Sequence, residues 1–248
     1  MKISVIVAVH NAVHTITDAL ESLRDQQYKD IECIVVDGAS TDGTLQKIQR
    51  FGGVVHCLLS EPDQGMYHAL NKGIRLATGD VIGFLHADDY FADSLALNRV
   101  ADALAAPGTD ACYGDLCYVG KGDSRFRYWH AGQYRRERLA WGWMPPHPTF
   151  YARLSVYRQY GEFDTRYRIA ADYDYILRIM LGGRITCAYI PHVLVHMRSG
   201  GISNRSLGNI LRKSYEDYCI LREHRLGGLL VLFNKNISKI RQVIFRNY

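Results

Sequence analysis

The chain has 248 residues, a formal net charge of +5, 48% apolar and 22% charged residues. That is long enough for one large α/β domain or a domain with an appendage, and the composition is ordinary for a folded soluble protein. The six cysteines include no CxxC pair, which argues for buried thiols of a reducing compartment rather than a zinc site or a disulfide frame. No apolar run reaches the length of a membrane span. Met1-Lys2 leads straight into a strand pattern, so no signal peptide is expected.

Strand and helix signals alternate from the start. Ile3 to Val9 predicts a strand, followed by the turn His10-Asn11-Ala12-Val13-His14. Thr15 with Asp18 has the form of a capping box, and Ile16, Leu20 and Leu23 give a helical stripe. Ile31 to Val36 predicts a second strand, broken by the polar loop Asp37 to Thr44. A short helix with Leu45 and Ile48 follows, then a third strand from Val54 to Leu59. The loop Ser60-Glu61-Pro62-Asp63-Gln64-Gly65 opens a helix from about Met66 to Ala77, with Gly79 as its expected stop. Such alternation argues for a mostly parallel sheet covered by helices.

The stretch Val81-Ile82-Gly83-Phe84-Leu85-His86-Ala87-Asp88-Asp89 organises the rest. Its apolar run reads as a strand buried on both faces. Ligands of open α/β sheets bind beyond the carboxyl ends of such strands, which puts Asp88 and Asp89 at the rim of a crevice. Neighbouring carboxylates repel unless a cation is present. A divalent metal with oxygen ligands, of the kind that bridges a diphosphate, explains the pair; a polar turn is the plainer alternative. Asp37, Asp63 and the Asp88-Asp89 pair follow three successive strands and so lie along one edge of the sheet.

After Ser94 a helix runs through Leu104. Ala111 to Val119 and Phe126 to Trp129 read as a strand and its return, joined by a turn at Lys121-Gly122-Asp123. Gln133 to Met144 is irregular, basic and aromatic, and Pro145-Pro146-His147-Pro148 predicts an extended segment. Asp172 to Arg178 opens an apolar helix that ends at Gly182-Gly183. Ile185 to Ile190 and Val193 to Met197 predict two more strands. From Asn204 two helices are expected, parted near Gly227-Gly228.

Taken together, these motifs resemble the family 2 glycosyltransferases, inverting enzymes of the GT-A fold that use sugar nucleotides. The resemblance rests on Ser4 to Asn11, Val35 to Thr44, Asp63 to Gly73, Ala77 to Asp80, His86-Ala87-Asp88-Asp89, Gly161 to Asp164 and Ala171-Asp172-Tyr173-Asp174. It runs from Ile3 to about Ser203 and is nearest to members that build bacterial surface polysaccharides. It implies a GT-A, Rossmann-like sheet flanked by helices over residues 1–200, and a C-terminal helical extension over 201–248. It also implies transfer of a sugar from a nucleotide-diphosphate sugar, with uridine favoured, to a hydroxyl of a glycan or lipid-linked saccharide. By the same resemblance Asp37 meets the nucleotide base, and Asp63, Ala8 and His10 lie near the nucleotide. Asp88 binds ribose and stands beside the metal ligand Asp89, the metal being Mn²⁺ or Mg²⁺. Asp172 matches the general base. The sequence departs from the pattern at His86, where Asp or Asn is usual, and at Ala171, where Glu often precedes the base.

Other residues stay open to more than one reading. Asp174 is the rival base, but at two residues from Asp172 it points to another side of the helix. His86 can face the sugar or support the acidic pair. His147 can line the acceptor pocket or simply pack. His192 and His196 lie where some GT-A enzymes supply a further metal ligand, although a histidine in an apolar run often packs. Arg198 with Ser199-Gly200-Gly201 can close over the diphosphate or form a solvated turn. Trp141 and Trp143 can stack on a sugar or in the core. The segment 201–248 carries nine Lys/Arg against three Asp/Glu, with apolar residues at helical spacing, which suits the inner surface of an anionic membrane or a helix packed on the domain. Two other classes fit the motifs less well. A sugar-nucleotide nucleotidyltransferase wants a Gly-rich basic loop after the first strand, and a dehydrogenase wants G-x-G-x-x-G there; this chain has neither. A non-catalytic carbohydrate-binding protein has no use for Asp37, Asp88, Asp89 and Asp172 together.

Overall fold

The computed structural model describes residues 1–120, 124–183, 185–198, 207–228, 231, 232 and 235. The expected turn at Lys121-Gly122-Asp123, the Ser199-Gly200-Gly201 loop and most of the final helix lie outside these residues. Among those described, a mixed sheet is built from β1 (Ile3–Val9), β2 (Ile31–Asp37), β3 (Val55–Ser60), β4 (Val81–Phe84), β5 (Tyr90–Phe91), β6 (Ala111–Val119), β7 (Arg125–Trp129), β8 (Tyr151–Arg153) and β9 (Cys187–Arg198). The order is β3-β2-β1-β4-β8-β6-β9-β5, with β7 on β6. The β3-β2-β1-β4 half is parallel. Strand β8 runs antiparallel to both β4 and β6, and β9 runs parallel to β6.

Successive residues of β1 point to opposite faces, and each face finds a helical layer. Ile3, Val5 and Val7 join α1 (Ile16–Arg24), α2 (Thr44–Gln49) and α4 (Ala96–Ala105) in one core. Ile6 joins α3 (Met66–Leu76), α6 (Leu154–Tyr160), α7 (Ala171–Leu181) and α8 (Leu207–Glu223) in the other. All four residues of β4 are buried, as its apolar run predicted. The ring of Tyr151 lies so close to Gly83 that an added Cβ would stand 2.0 Å from it; the strand admits no side chain there.

The structure corrects several local expectations. Thr15 makes no side-chain cap bond, and the Asp18 carboxylate instead meets Arg198 at 2.5 Å. Helix α3 ends with Ala77 extended rather than at a left-handed glycine. Gly79 is needed for a different reason, since a Cβ there would lie 2.6 Å from Ser4 Oγ and 2.8 Å from the Lys2 carbonyl oxygen. The proline run is extended only to Pro146; His147–Thr149 forms one 3-10 turn. The sequence reading assigned neither β8 nor α6, and α5 (Arg136–Leu139) forms inside the stretch expected to be irregular. One strand, β9, stands where two were expected between Ile185 and Met197. Register shifts opposite Gly114, Asp115 and Leu116 absorb Pro191, which cannot donate to the ladder.

Candidate active site

The carboxyl ends of the parallel strands carry the predicted acidic residues to one rim. Asp37 closes β2 and is fully buried. Its carboxylate accepts the Ser40 amide at 3.1 Å, the Ser40 hydroxyl, and the Ser60 hydroxyl at 2.6 Å. These bonds pull the loop after β2 into a tight turn with Ala39 at φ 58°, in the left-handed region. Asn11, also left-handed, accepts the Thr41 amide at 2.9 Å, while its own amide donates to Ser40 Oγ at 2.8 Å. The loops after β1 and β2 are thus latched together. Ala8 is half-buried and pairs with Val36. His10 is exposed, with Nδ1 3.0 Å from the Gly38 carbonyl oxygen.

Gly38 sits between two of the predicted nucleotide residues. A Cβ there would lie 3.4 Å from His10 Nδ1 and 3.5 Å from Asp63 Oδ2. Asp63 Oδ1 is paired with Lys72 Nζ at 2.5 Å. Its Oδ2 is buried with no hydrogen-bond partner among the described residues. A buried acceptor without a donor is costly, so this oxygen suits an N–H or O–H brought by a ligand.

The Asp88-Asp89 pair repeats the theme. Asp89 is 1% exposed. Its Oδ1 accepts the Arg198 amide at 3.1 Å, while Oδ2 is buried and without a partner among the described residues. Burial, and then the neighbouring Asp88 charge, push the Asp89 carboxyl well above the usual range, partly offset by Arg198. A hard divalent cation would supply the partner that Asp89 Oδ2 lacks and offset the repulsion between the neighbouring carboxylates, so the donor set fits one. Among the described residues no group of three or more His, Cys, Asp or Glu side chains is placed to hold a metal. One or two carboxylates completed by water and substrate phosphates is a common arrangement for magnesium-like ions.

Arg198 braces this corner. Its guanidinium donates to Asp18 at 2.5 Å and to the Asp88 carbonyl oxygen at 3.4 Å, and lies 4.9 Å over the Tyr90 ring. His196 is 7% exposed and edge-on to Tyr90 at 5.1 Å.

His86 connects the acidic pair to the predicted base. The charges of both Asp88 and Asp172 act on its ring, but burial outweighs their pull and lowers its pKa. His147 lies 5.9 Å from His86 between ring centroids, stacked on Phe84 at 5.2 Å and edge-on to Phe163 at 5.5 Å. Burial pushes its pKa down to about 4, so the ring is neutral near pH 7. Its Nε2 is buried with no partner among the described residues.

Asp172 is the second residue of α7, where the helix dipole favours a carboxylate. Its Oδ1 accepts the Tyr67 hydroxyl at 3.0 Å and the Tyr173 amide at 2.9 Å. Its Oδ2 makes no hydrogen bond among the described residues and is not buried. Asp174 is placed differently. It is 6% exposed and bonded to Arg178 Nη2 at 2.7 Å and His224 Nε2 at 2.8 Å. Burial alone would raise its pKa, but these two partners hold it low. Trp143 packs against Tyr113 and donates to the Ala131 carbonyl oxygen at 2.9 Å, whereas Trp141 is 64% exposed.

The sequence reading missed two residues of this region. Tyr67 was quoted only as part of a motif, and Glu216 only as a charge in a basic tail. Neither carries a local signal, because both act across more than 40 residues of chain.

Comparison with known proteins defines the class. The fold is that of GT-A glycosyltransferases: TarS of S. aureus in complex with UDP-GlcNAc superposes with a TM-score of 0.69 at 20% identity, over 90% of this chain and 65% of that one. A mannosyltransferase of Pyrobaculum calidifontis, in complex with GDP-Man and Mn²⁺, gives 0.67 at 18% identity, over 100% of this chain and 76% of that one. The chain belongs to glycosyl transferase family 2, whose model matches residues 4–167, and is a glycosyltransferase. A PGL/p-HBAD biosynthesis glycosyltransferase of Mycobacterium bovis is 33% identical over 209 residues, covering 81% of this chain and 78% of that protein. A UDP-Glc:alpha-D-GlcNAc-diphosphoundecaprenol beta-1,3-glucosyltransferase of Escherichia coli is 33% identical over 99 residues, covering 40% and 39%.

Proposed function

We propose that this chain transfers a sugar from a uridine-diphosphate sugar to a hydroxyl of a glycan or lipid-linked saccharide, with inversion, in the synthesis of a cell-surface glycan. The observation that carries this reading is the placement of Asp172. One carboxylate oxygen is pinned by Tyr67 and Tyr173, the other has no partner among the described residues, and His86 feels both this carboxylate and Asp88. Donor and acceptor chemistry would then meet around His86. The E. coli relative, whose name gives a UDP-glucose donor and a diphosphoundecaprenol-linked acceptor, supports the substrate class.

The loops around Asp37, His10 and Asp63 hold the nucleotide, with Asp63 Oδ2 taking a ligand N–H or O–H. Asp88 and Asp89 would hold a divalent cation, Mn²⁺ or Mg²⁺, which when bound supplies Lewis-acid stabilisation of the departing diphosphate. Asp172 Oδ2 takes the acceptor O–H proton as the acceptor oxygen forms its bond to the anomeric carbon. The bond from that carbon to the diphosphate oxygen breaks, and the nucleoside diphosphate leaves. One base on the face opposite the leaving group gives one displacement and an inverted product.

The site of action that fits is the inner face of the cytoplasmic membrane. Among the described residues no helix is long and apolar enough to cross a membrane. Helix α8 exposes Leu211 at 72% and Tyr215 at 69%, beside the exposed Arg212, a face suited to anionic lipid.

The test is a panel of sugar nucleotides with a lipid-linked saccharide, with the anomeric configuration of the product read by NMR. Inverted product that disappears in Asp172→Asn, with donor affinity retained, is expected; loss of transfer by roughly 10²- to 10⁴-fold is typical for a general base. A retained configuration, or full turnover in Asp172→Asn, overturns the reading.

A further inference from the structure

Helix α7 begins without a cap of its own: its N-cap residue is Ala170, and no side chain of the cap makes a hydrogen bond. The backbone amides before it are nevertheless satisfied from a distant part of the chain. Glu216, on α8 and 7% exposed, accepts the Arg168 amide at 3.1 Å through Oε1. Its Oε2 accepts the Ile169 amide at 2.8 Å and the Ala170 amide at 3.0 Å. Consecutive amides turned toward one carboxylate form an anion-binding concavity, here filled by an internal anion. Ile169 is gripped from its other side as well, because its carbonyl oxygen accepts the Tyr67 hydroxyl at 2.9 Å, and that hydroxyl also reaches Asp172 Oδ1.

Helix α8 is tied to α7 at further points. His224 bonds Asp174 at 2.8 Å. Lys235 pairs with Asp217 at 2.9 Å and places its ammonium 3.1 Å from the centre of the Tyr173 ring. Ile220 and Leu221 are fully buried in the core that also holds Tyr67 and Tyr173. Besides Tyr67, the side chains that fix the residues flanking Asp172 therefore lie beyond residue 167, where the family match ends.

We propose that Glu216 is a positioning residue for the base, so that the C-terminal helix completes the active site without touching either substrate. This rests on the reading of Asp172 as the base. The carboxylate sets the path of residues 168–170, and that path sets where Asp172 Oδ2 stands relative to the acceptor hydroxyl. Glutamine cannot replace it, because its NH₂ group would face an amide donor. A shift of about 1 Å in such a group costs on the order of 10²-fold in rate.

The experiment compares the full chain with Glu216→Gln, Glu216→Asp and Asp172→Asn on one acceptor. For Glu216→Gln, calorimetry is expected to give wild-type donor affinity and stoichiometry, acceptor KM within about twofold, and kcat lowered by roughly 10- to 100-fold. Glu216→Asp, which keeps the charge on a shorter arm, should recover part of that kcat. A purely structural role would instead lower the donor stoichiometry in step with activity, and that result overturns the proposal. So does wild-type kcat in Glu216→Gln. Should Glu216→Gln fail to fold, Glu216→Asp takes its place, and a donor stoichiometry that falls in step with its kcat overturns the proposal equally. Wild-type kcat in Asp172→Asn would overturn the underlying reading of the base, whereas an inactive Asp172→Asn beside a normal Glu216→Gln removes this proposal alone.

Discussion

The Tyr67 hydroxyl lies 3.0 Å from Asp172 Oδ1, joining the helix after β3 to the helix that carries the proposed base. Burial, with the Asp172 charge, holds the Tyr67 pKa well above its ordinary value, so the phenol keeps its proton and acts as a donor. Its single proton serves both Asp172 and the Ile169 carbonyl oxygen. Tyr67→Phe keeps the ring, which is 4% exposed, and removes only the hydroxyl with its contacts to Asp172 and the Ile169 carbonyl oxygen. The expected result is a kcat lower by about tenfold, unchanged donor affinity, and a stability loss of about 1 kcal/mol. Steady-state kinetics with urea unfolding checks this; a kcat equal to wild type would show that pinning Oδ1 is irrelevant to transfer.

The strand–helix alternation was legible because apolar runs of β1, β2 and β4 are bounded by turn residues and buried on both faces. The rim acids were legible for the same reason, since each follows a strand end. What stayed hidden depends on distant partners. Strand β8 is only Tyr151–Arg153 and has no period to read; it exists because Ala152 pairs with both Ile82 and Ala111. Asp18 has the spacing of a capping residue, yet Arg198 offers it a charged partner. The preference for Asp172 over Asp174 came from the family resemblance together with helix geometry. Its physical cause, the grip of Arg178 and His224 on Asp174, came only with the fold.

Away from the site, Glu32 makes a pH-dependent contribution to stability. Its carboxylate is 10% exposed, and burial alone would raise its pKa. Bonds from Lys2 at 2.6 Å, Ser4 at 2.6 Å and Thr78 at 2.5 and 2.8 Å outweigh burial and lower it to about 2. A carboxyl with a depressed folded-state pKa stabilises fully above its unfolded-state value, 4.5 in the reference state. That contribution fades as pH falls through the interval down to about 2. Glu32→Gln should therefore cost roughly 1–3 kcal/mol at pH 7 and much less near pH 2.5. Urea titrations at both values decide it; an equal cost at both would mean that the ionised form is not what stabilises.

The proposed membrane face makes a separate prediction. Leu211 and Tyr215 lie on the outer side of α8, away from Glu216 and Ile220. Full-length protein should bind vesicles containing anionic lipid at low salt and release them as salt screens the charges. Leu211→Ser combined with Arg212→Glu should weaken sedimentation with those vesicles while leaving donor binding unchanged. Binding unaffected by this pair would move the contact to another surface.

The last prediction isolates the cation from turnover. Asp89 places a carboxylate oxygen in a buried position without a hydrogen-bond donor among the described residues, next to a second carboxylate. Without a cation that arrangement costs stability; with one it becomes a ligand. Asp89→Asn removes the charge and keeps the shape, so the metal-free variant should melt no lower than the metal-free wild type. Adding Mn²⁺ with a nucleoside diphosphate should raise the melting temperature of the wild type, because ligand binds only the native state. The same addition should raise that of the variant far less, while nucleoside diphosphate alone should stabilise both alike through the Asp37 and Asp63 loops. Thermal melts in chelator, in Mn²⁺, and in Mn²⁺ with nucleotide separate these terms. A Mn²⁺-dependent shift as large in Asp89→Asn as in wild type would take Asp89 out of the metal site. A wild-type shift independent of Mn²⁺ would take the metal out of donor binding, leaving Arg198 and the loop amides to meet the diphosphate.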